Sequence, residues 1–274
     1  MKEKLLEPAS VNLSLWEVVV HGSNPLTSAI YSSDKSYERF ASRAAHALIV
    51  LGHCHMSYKL YYAEPSAAMG ARVILEEIGS PYELVWTDIS QNSTRKPDLL
   101  DLNPNGWIPV LVWEEGAIYE CGAITVFLCD RHPEIQLAPR ATDPDRGLFL
   151  QWLFFFSSSL QNAYQMTYYP NRFCASSKNE KSVKNRSTSR LEELWQVVDD
   201  AIEEKDWLLG KRFSAADVYL FMLTTWLSES HQHPAIDSFK NVKRVAAKVM
   251  QRPSVCSIYE SYISDITAGK KSNP

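Results

Sequence analysis

Residues 103–130 read NPNGWIPVLVWEEGAIYECGAITVFLCD. A turn at 103–106 leads into a short apolar run that Pro109 interrupts. A second turn falls at 114–116. Glu120-Cys121 then opens a helical pattern carried by Ala123, Ile124, Phe127 and Leu128. A proline cannot donate to a sheet ladder, so inside a strand-like run it needs a structural reason. A cis peptide is one such reason, and Ile108-Pro109 is the bond that fits it. A turn of this kind leaves backbone groups beside the proline able to pair with a peptide-like ligand, as an added strand does. The helix start that follows presents free N–H groups and a partial positive charge, which suit a carboxylate.

Working outward, 58–63 reads as a strand of alternating and aromatic residues. Residues 66–78 read as a helix with Ser66 as N-cap and Gly79 just past its end. Its apolar stripe runs through Met69, Val73 and 74–78. A second strand is predicted at 82–87, then a loop and short helix at 90–98. A hairpin follows at 108–113 and 117–119, and a helix over 121–131 closes the unit. Three prolines between 133 and 144 mark a linker. Beyond it the pattern is helical: an apolar and aromatic stretch at 147–168, a polar loop at 176–189, a helix at 190–209, and another from Ser214 to about Ser228. Helices at 242–251 and 254–266 complete it, punctuated by Pro253. Ser214 and Asp217 stand at capping-box spacing.

These residues resemble the glutathione transferase family, in its bacterial type, over roughly 57–266. The resemblance implies a thioredoxin-like α/β domain at 57–132, a linker at 133–144 and an all-helical bundle domain at 145–266. It implies glutathione as co-substrate. Ile108-Pro109 matches the apolar residue and cis-proline whose backbone pairs with the cysteinyl part of glutathione. Glu120 matches the acid of a Glu-Ser pair that holds the γ-glutamyl carboxylate, with Cys121 where serine is usual. Trp107 stands where lysine or glutamine is common and belongs to the same binding set. Ser66 falls on the activating serine of the insect-type and plant-type classes. Tyr61 or Tyr62 would stand nearer the tyrosine of the mammalian classes, and Ala67 occupies the bacterial cysteine position. Trp152, Tyr164, Tyr168 and Tyr169 are candidates for the wall of an electrophile pocket, with Arg172 nearby. Ser214 and Asp217 match the family's helix-capping motif, a folding element.

The implied reaction is attack of an activated glutathione thiolate on a hydrophobic small molecule, by a cytoplasmic homodimer. Aryl-ether cleavage or dehalogenation by the same thiolate is one alternative. A non-catalytic glutathione-binding or interaction scaffold of the same fold is another. A free thiol ionises near 8.5, so a thiolate at neutral pH needs stabilisation, from a hydroxyl donor and a helix N-terminus.

Composition bounds the rest. The chain has 274 residues, enough for two modest domains. A net charge of −4 with no long basic block speaks against nucleic acid. The five cysteines are scattered and odd in number, which suits a reducing compartment better than a disulfide framework. No apolar run reaches the length of a membrane span. Metal binding is not expected: His53-Cys54-His55 and His231-Gln232-His233 are the two histidine clusters, and neither has a second ligand group. There is no Cys-x-x-Cys, against a dithiol oxidoreductase. Residues 1–55 fit nothing downstream. They read either as an N-terminal extension or as sequence upstream of a true start at Met56. Residues 267–274 read as a tail.

Overall fold

A computed structural model describes residues 57–90 and 93–267. The predicted N-terminal extension with His53-Cys54-His55, and the tail from residue 268, lie outside the described residues.

The first half is built on a four-stranded sheet in the order β2-β1-β3-β4. Strand β1 (Tyr58–Tyr62) runs parallel to β2 (Tyr82–Trp86), antiparallel to β3 (Val110–Trp113), and β3 pairs antiparallel with β4 (Gly116–Tyr119). Successive side chains of a strand point to opposite faces. Tyr58, Leu60 and Tyr62 therefore enter the main core with α1 (Ala68–Ile78) and α3 (Cys121–Arg131). Tyr61 instead meets Val110 and Leu99 of α2 (Pro97–Leu102) in a small cluster on the other face.

Helix α1 stops at Gly79, whose φ of 73° is the left-handed region that glycine tolerates, and whose N–H closes on Leu75 and Glu76 carbonyls. Its start differs from the sequence expectation. The helix begins at Ala68, after Ala67 already in helical geometry, and Ser66 is not its N-cap. Ser66 is held in the preceding turn by its own side chain, as described below.

The helical half comprises α4 (Arg146–Phe154), a π turn (Phe155–Leu160), α5 (Gln161–Tyr168), α6 (Glu180–Ile202), α7 (Ala215–Thr224), α8 (Lys240–Met250), α9 (Pro253–Ile258) and α10 (Glu260–Thr267). Every residue of α7 is buried, so it is the central helix of the bundle. Its N-terminus carries the capping box of Ser214 and Asp217. The Asp217 carboxylate accepts from the N–H of Ser214 at 2.8 Å, from Ser214 Oγ at 3.0 Å and from the N–H of Leu208 at 2.9 Å. Burial pushes its carboxyl up to about 6 while these donors pull the other way. Gly70 lets α1 cross α7 closely, because a Cβ there would stand 2.8 Å from Met222 Sδ.

Three predicted boundaries move. The polar stretch at 176–189 is mostly helix: α6 starts at Glu180, and its first half faces solvent except for Ser187, which donates to the Ala163 carbonyl at 2.7 Å. The same helix ends at Ile202 rather than 209, where Glu203 adopts φ 46° and a tight turn closes reciprocally between Trp207 and Gly210. The predicted 254–266 helix is two, broken at Tyr259.

One partly buried ion pair spans the two halves. Glu77 of α1 takes both Arg252 nitrogens, at 2.8 and 2.6 Å, and also the Ser254 hydroxyl. Arg252 sits 3.9 Å over the Phe213 ring. Burial works to raise the Glu77 carboxyl, but the bonds from Arg252 and Ser254 outweigh it and hold the group below its ordinary 4.5. A lowered folded value means stability that is full above the ordinary value and lost as the pH falls through the lowered one. Glu77→Gln should cost about 2 kcal/mol in urea unfolding at pH 7. That difference should shrink below pH 4.5; a penalty unchanged by acid would mean the pair is not ionic in effect.

Candidate functional site

A cavity of about 640 Å³ opens between the sheet half and the helical half. Three separate segments of the first half reach it: the turn after β1 (Glu64-Pro65-Ser66), the approach to β3 (Trp107-Ile108-Pro109) and the start of α3 (Glu120-Cys121). Both Glu64-Pro65 and Ile108-Pro109 are cis. The second was expected from sequence. The first was not, although a proline just after a strand was its visible sign.

Ser66 lines this cavity but is largely committed to its own turn. Its hydroxyl donates to the Ala63 carbonyl at 2.7 Å and accepts from the Ala68 N–H at 3.1 Å. It thus still takes up one of the orphan donors of α1. Neither tyrosine of β1 lines the cavity. Tyr61 is on the opposite sheet face, and the Tyr62 hydroxyl is bonded to Glu64 and to Arg72 Nη1, the latter at 3.0 Å. Arg72 also forms an ion pair with Glu64 at 3.6 Å.

Glu120 occupies the N-cap position of α3 with φ 74° and ψ 118°. A residue with a side chain is rarely held there, and such a conformation costs about 1–3 kcal/mol. The exposed carboxylate sits beside the free N–H groups of the helix start. The Cys121 side chain turns inward, with its thiol 3.5 Å from the Ala67 carbonyl. Burial pushes that thiol up to about 12, so it stays protonated. What Cys121 offers the cavity is its backbone N–H.

The opposite wall comes from α5. The π turn shifts the register, so that Gln161, Tyr164, Gln165 and Tyr168 face the cavity. Trp152, before the turn, does not. It is buried in the bundle core, stacked on Phe156 at 5.7 Å, and Phe156 in turn meets Tyr219 of α7. The expectation that Trp152 lines the pocket is therefore corrected: its stripe packs on α7. Tyr164 presents only its ring. Its hydroxyl donates to the Leu223 carbonyl at 2.9 Å and accepts from Trp195 Nε1 at 3.1 Å. Tyr168 lines the wall with its hydroxyl bonded to the Trp226 carbonyl at 2.7 Å. Tyr169 lies at the mouth, 6.1 Å from the Trp107 ring, with the Arg172 guanidinium between them.

Several lining residues were not anticipated, among them Asn103, Gln161, Gln165, Trp226 and His231. The Gln161 carbonyl accepts from the Tyr219 hydroxyl at 2.6 Å, which fixes its amide. Spacing one turn before Tyr164 and Tyr168 was the available signal for Gln161 and Gln165. His231 stacks on Tyr168 at 4.5 Å, while His233 is buried against Thr167 at 2.9 Å. Burial lowers His233 to about 4, so it is neutral near pH 7. Among the described residues no group of three or more His, Cys, Asp or Glu side chains could hold a metal. No described helix is long and apolar enough to cross a membrane.

Comparison with known proteins gives matches over both halves. Residues 56–129 match the family model "Glutathione S-transferase, N-terminal domain", and 149–253 match "Glutathione S-transferase, C-terminal domain". The Glutathione S-transferase GstA of Escherichia coli O157:H7 is 24% identical over 72% of this chain and 94% of its own. The ternary complex of BphK, a bacterial GST, is 30% identical with a TM-score of 0.65, covering 74% of this chain and 98% of that one. A sphingomonad glutathione S-transferase complexed with glutathione is 25% identical with a TM-score of 0.65, over the same shares.

Tyr164→Phe should strand the Leu223 carbonyl and the Trp195 N–H in the core and cost about 2 kcal/mol in urea unfolding. Affinity for glutathione should not change. A selective loss of affinity would mean that the hydroxyl leaves its core partners to reach a ligand.

Proposed function

The chain belongs to the glutathione S-transferase family, and from that membership we propose that it catalyses attack of the glutathione thiolate on a hydrophobic electrophile. The observation that carries the reading is the convergence of Ser66, cis Ile108-Pro109 and Glu120 on one cavity. These are three distant stretches of chain. Only the fold brings them together, and what they offer suits one extended peptide with a charged end.

In this reading the γ-glutamyl end lies at Glu120, its ammonium against the carboxylate and its own carboxylate at the α3 N–H groups, Cys121 included. The cysteinyl part runs along the backbone of Ile108. Its sulfur then reaches toward the turn that carries Ser66. Lowering the thiol by two units corresponds to about 2.7 kcal/mod in favour of the anion. Ser66 can contribute by swinging its hydroxyl from the Ala63 carbonyl to the sulfur, and the start of α1 adds its partial charge. The Gln161 amide, fixed by Tyr219, presents N–H donors from the other wall. The thiolate forms a bond to the electrophilic carbon as that carbon's leaving group departs with the bonding pair. The faces of Tyr164, Tyr168, Tyr169 and Trp226 supply an apolar surface for the second substrate. Aryl-ether cleavage and dehalogenation differ only in the leaving group.

Ser66→Ala should lower kcat/KM by about 100-fold, as removal of a single charge-stabilising donor does. Its two bonds in the turn are worth little more, so Tm should fall by only about 2–4 °C. A large fall in Tm with turnover kept would make Ser66 a turn residue only. Glu120→Gly relieves the backbone conformation yet removes the carboxylate. Calorimetric titration should find glutathione affinity reduced by about tenfold or more, with Tm unchanged or raised. Glutathione binding without turnover of any electrophile would favour the non-catalytic scaffold.

A further inference from the structure

We propose that Arg172, carried by the helical half, is the cation that takes the glycyl carboxylate of glutathione; this rests on the function proposed above. Glutathione carries two carboxylates and one ammonium near neutral pH. With the γ-glutamyl end at Glu120 and the cysteinyl part at Ile108, an extended tripeptide continues past Ile108 on the side away from Glu120. Its glycyl carboxylate then arrives at Trp107.

The cavity is poorly supplied with positive charge for it. Its charged carboxylate lining is Glu64, Asp88 and Glu120, and among the described residues no lysine or arginine lines it. Asn103, beside Trp107, has its amide donor on the Trp107 carbonyl at 2.9 Å. Two arginines lie close by, and both are occupied. Arg95 donates to the carbonyls of Gly106 and Asp88, at 2.9 and 2.8 Å, and to Ser93. Arg72 serves Glu64 and Tyr62.

Arg172 is different. It ends the short 3-10 turn Pro170–Arg172 after α5. Its guanidinium carbon stands 4.4 Å from the Trp107 ring centre and 4.3 Å from the Tyr169 ring centre, and both rings line the cavity. Aromatic contact uses the face of a guanidinium and leaves its five N–H donors at the edge. Among the described residues no carboxylate pairs with it. A planar cation, held at the mouth by two aromatic rings with its donors unspent, has the form that binds a carboxylate through two parallel hydrogen bonds. The ligand would then touch both halves of the chain, with its glycyl end closing Arg172 onto Trp107.

The test is calorimetric titration of glutathione and of its glycyl monoethyl ester, which lacks only that negative charge. Both are titrated into the unmodified protein, Arg172→Ala and Arg172→Lys. The unmodified protein should prefer glutathione to the ester by about tenfold or more, in line with a charge-assisted hydrogen bond. Arg172→Ala should bind both equally, at the affinity the unmodified protein has for the ester. Arg172→Lys should keep part of the preference, since it keeps the charge but not the fork. The exposed position makes loss of folding unexpected, and thermal unfolding of each variant checks it. If Arg172→Ala retains the full preference, or weakens both ligands in the same ratio, Arg172 does not read this carboxylate while the function stands. If the unmodified protein binds neither ligand, the function falls and this assignment falls with it.

Discussion

The carboxylate of Asp217, buried at the start of α7, is the contact on which the most other structure depends. It gathers the Ser214 and Leu208 N–H groups and the Ser214 hydroxyl. The next residue, Ala215, donates to the Leu137 carbonyl at 2.7 Å, so the segment joining the two halves is latched to the same point. Once α7 is fixed, it fixes its neighbours. Met222 receives Gly70 of α1. Tyr219 aims the Gln161 amide. The Leu223 carbonyl holds Tyr164, and the Trp226 carbonyl just beyond the helix holds Tyr168. One wall of the cavity is thus hung from a helix that touches the cavity nowhere along its own length.

The other wall is assembled differently. Each of its three segments is placed by a local backbone peculiarity rather than by a long helix. Ser66 is pinned by its own hydroxyl, Glu120 has a positive φ, and Ile108 precedes a cis-proline. Such positions are specific and carry little surface area. They keep their geometry because the sheet beneath them is well packed: Leu60 and Leu111 are buried on one face, Tyr61 and Val110 on the other. The division of labour is physical. The sheet half offers hydrogen-bond geometry to a peptide-like ligand, and the helical half offers aromatic faces.

Much of this was legible in the amino-acid sequence. Period-two alternation in β1, the terminating Gly79, the proline in the β3 run and the Ser-x-x-Asp box are local signals, and local signals survive in one dimension. Element bounds failed where context overrode composition. The start of α6 is polar because it is solvent-exposed, not because it is a loop. Trp152 and Tyr164 have the same character in sequence, yet six residues wound as a π turn lie between them and rotate one toward the bundle core and the other toward the cavity. No periodic template assumes such a rotation. Ser66 looked like a cap because it precedes an apolar helical stripe; the turn that holds it depends on the Ala63 carbonyl three residues back. Arg172 gave no signal beyond its proximity to the tyrosines, because its partner Trp107 comes from the other half of the chain.

The inward turn of Cys121 bears on the chemistry that a thiol-handling site must survive. A cysteine beside a bound thiol is ordinarily a hazard: its thiolate can attack a disulfide and become capped. A thiol pushed up to about 12 has roughly one molecule in 10⁵ ionised at pH 7. Sealed against the Ala67 carbonyl, it has neither the charge nor the access for exchange. The protein can therefore meet oxidised as well as reduced glutathione without being trapped as a mixed disulfide at this position. A residue that in composition suggests redox sensitivity is, where it sits, chemically silent.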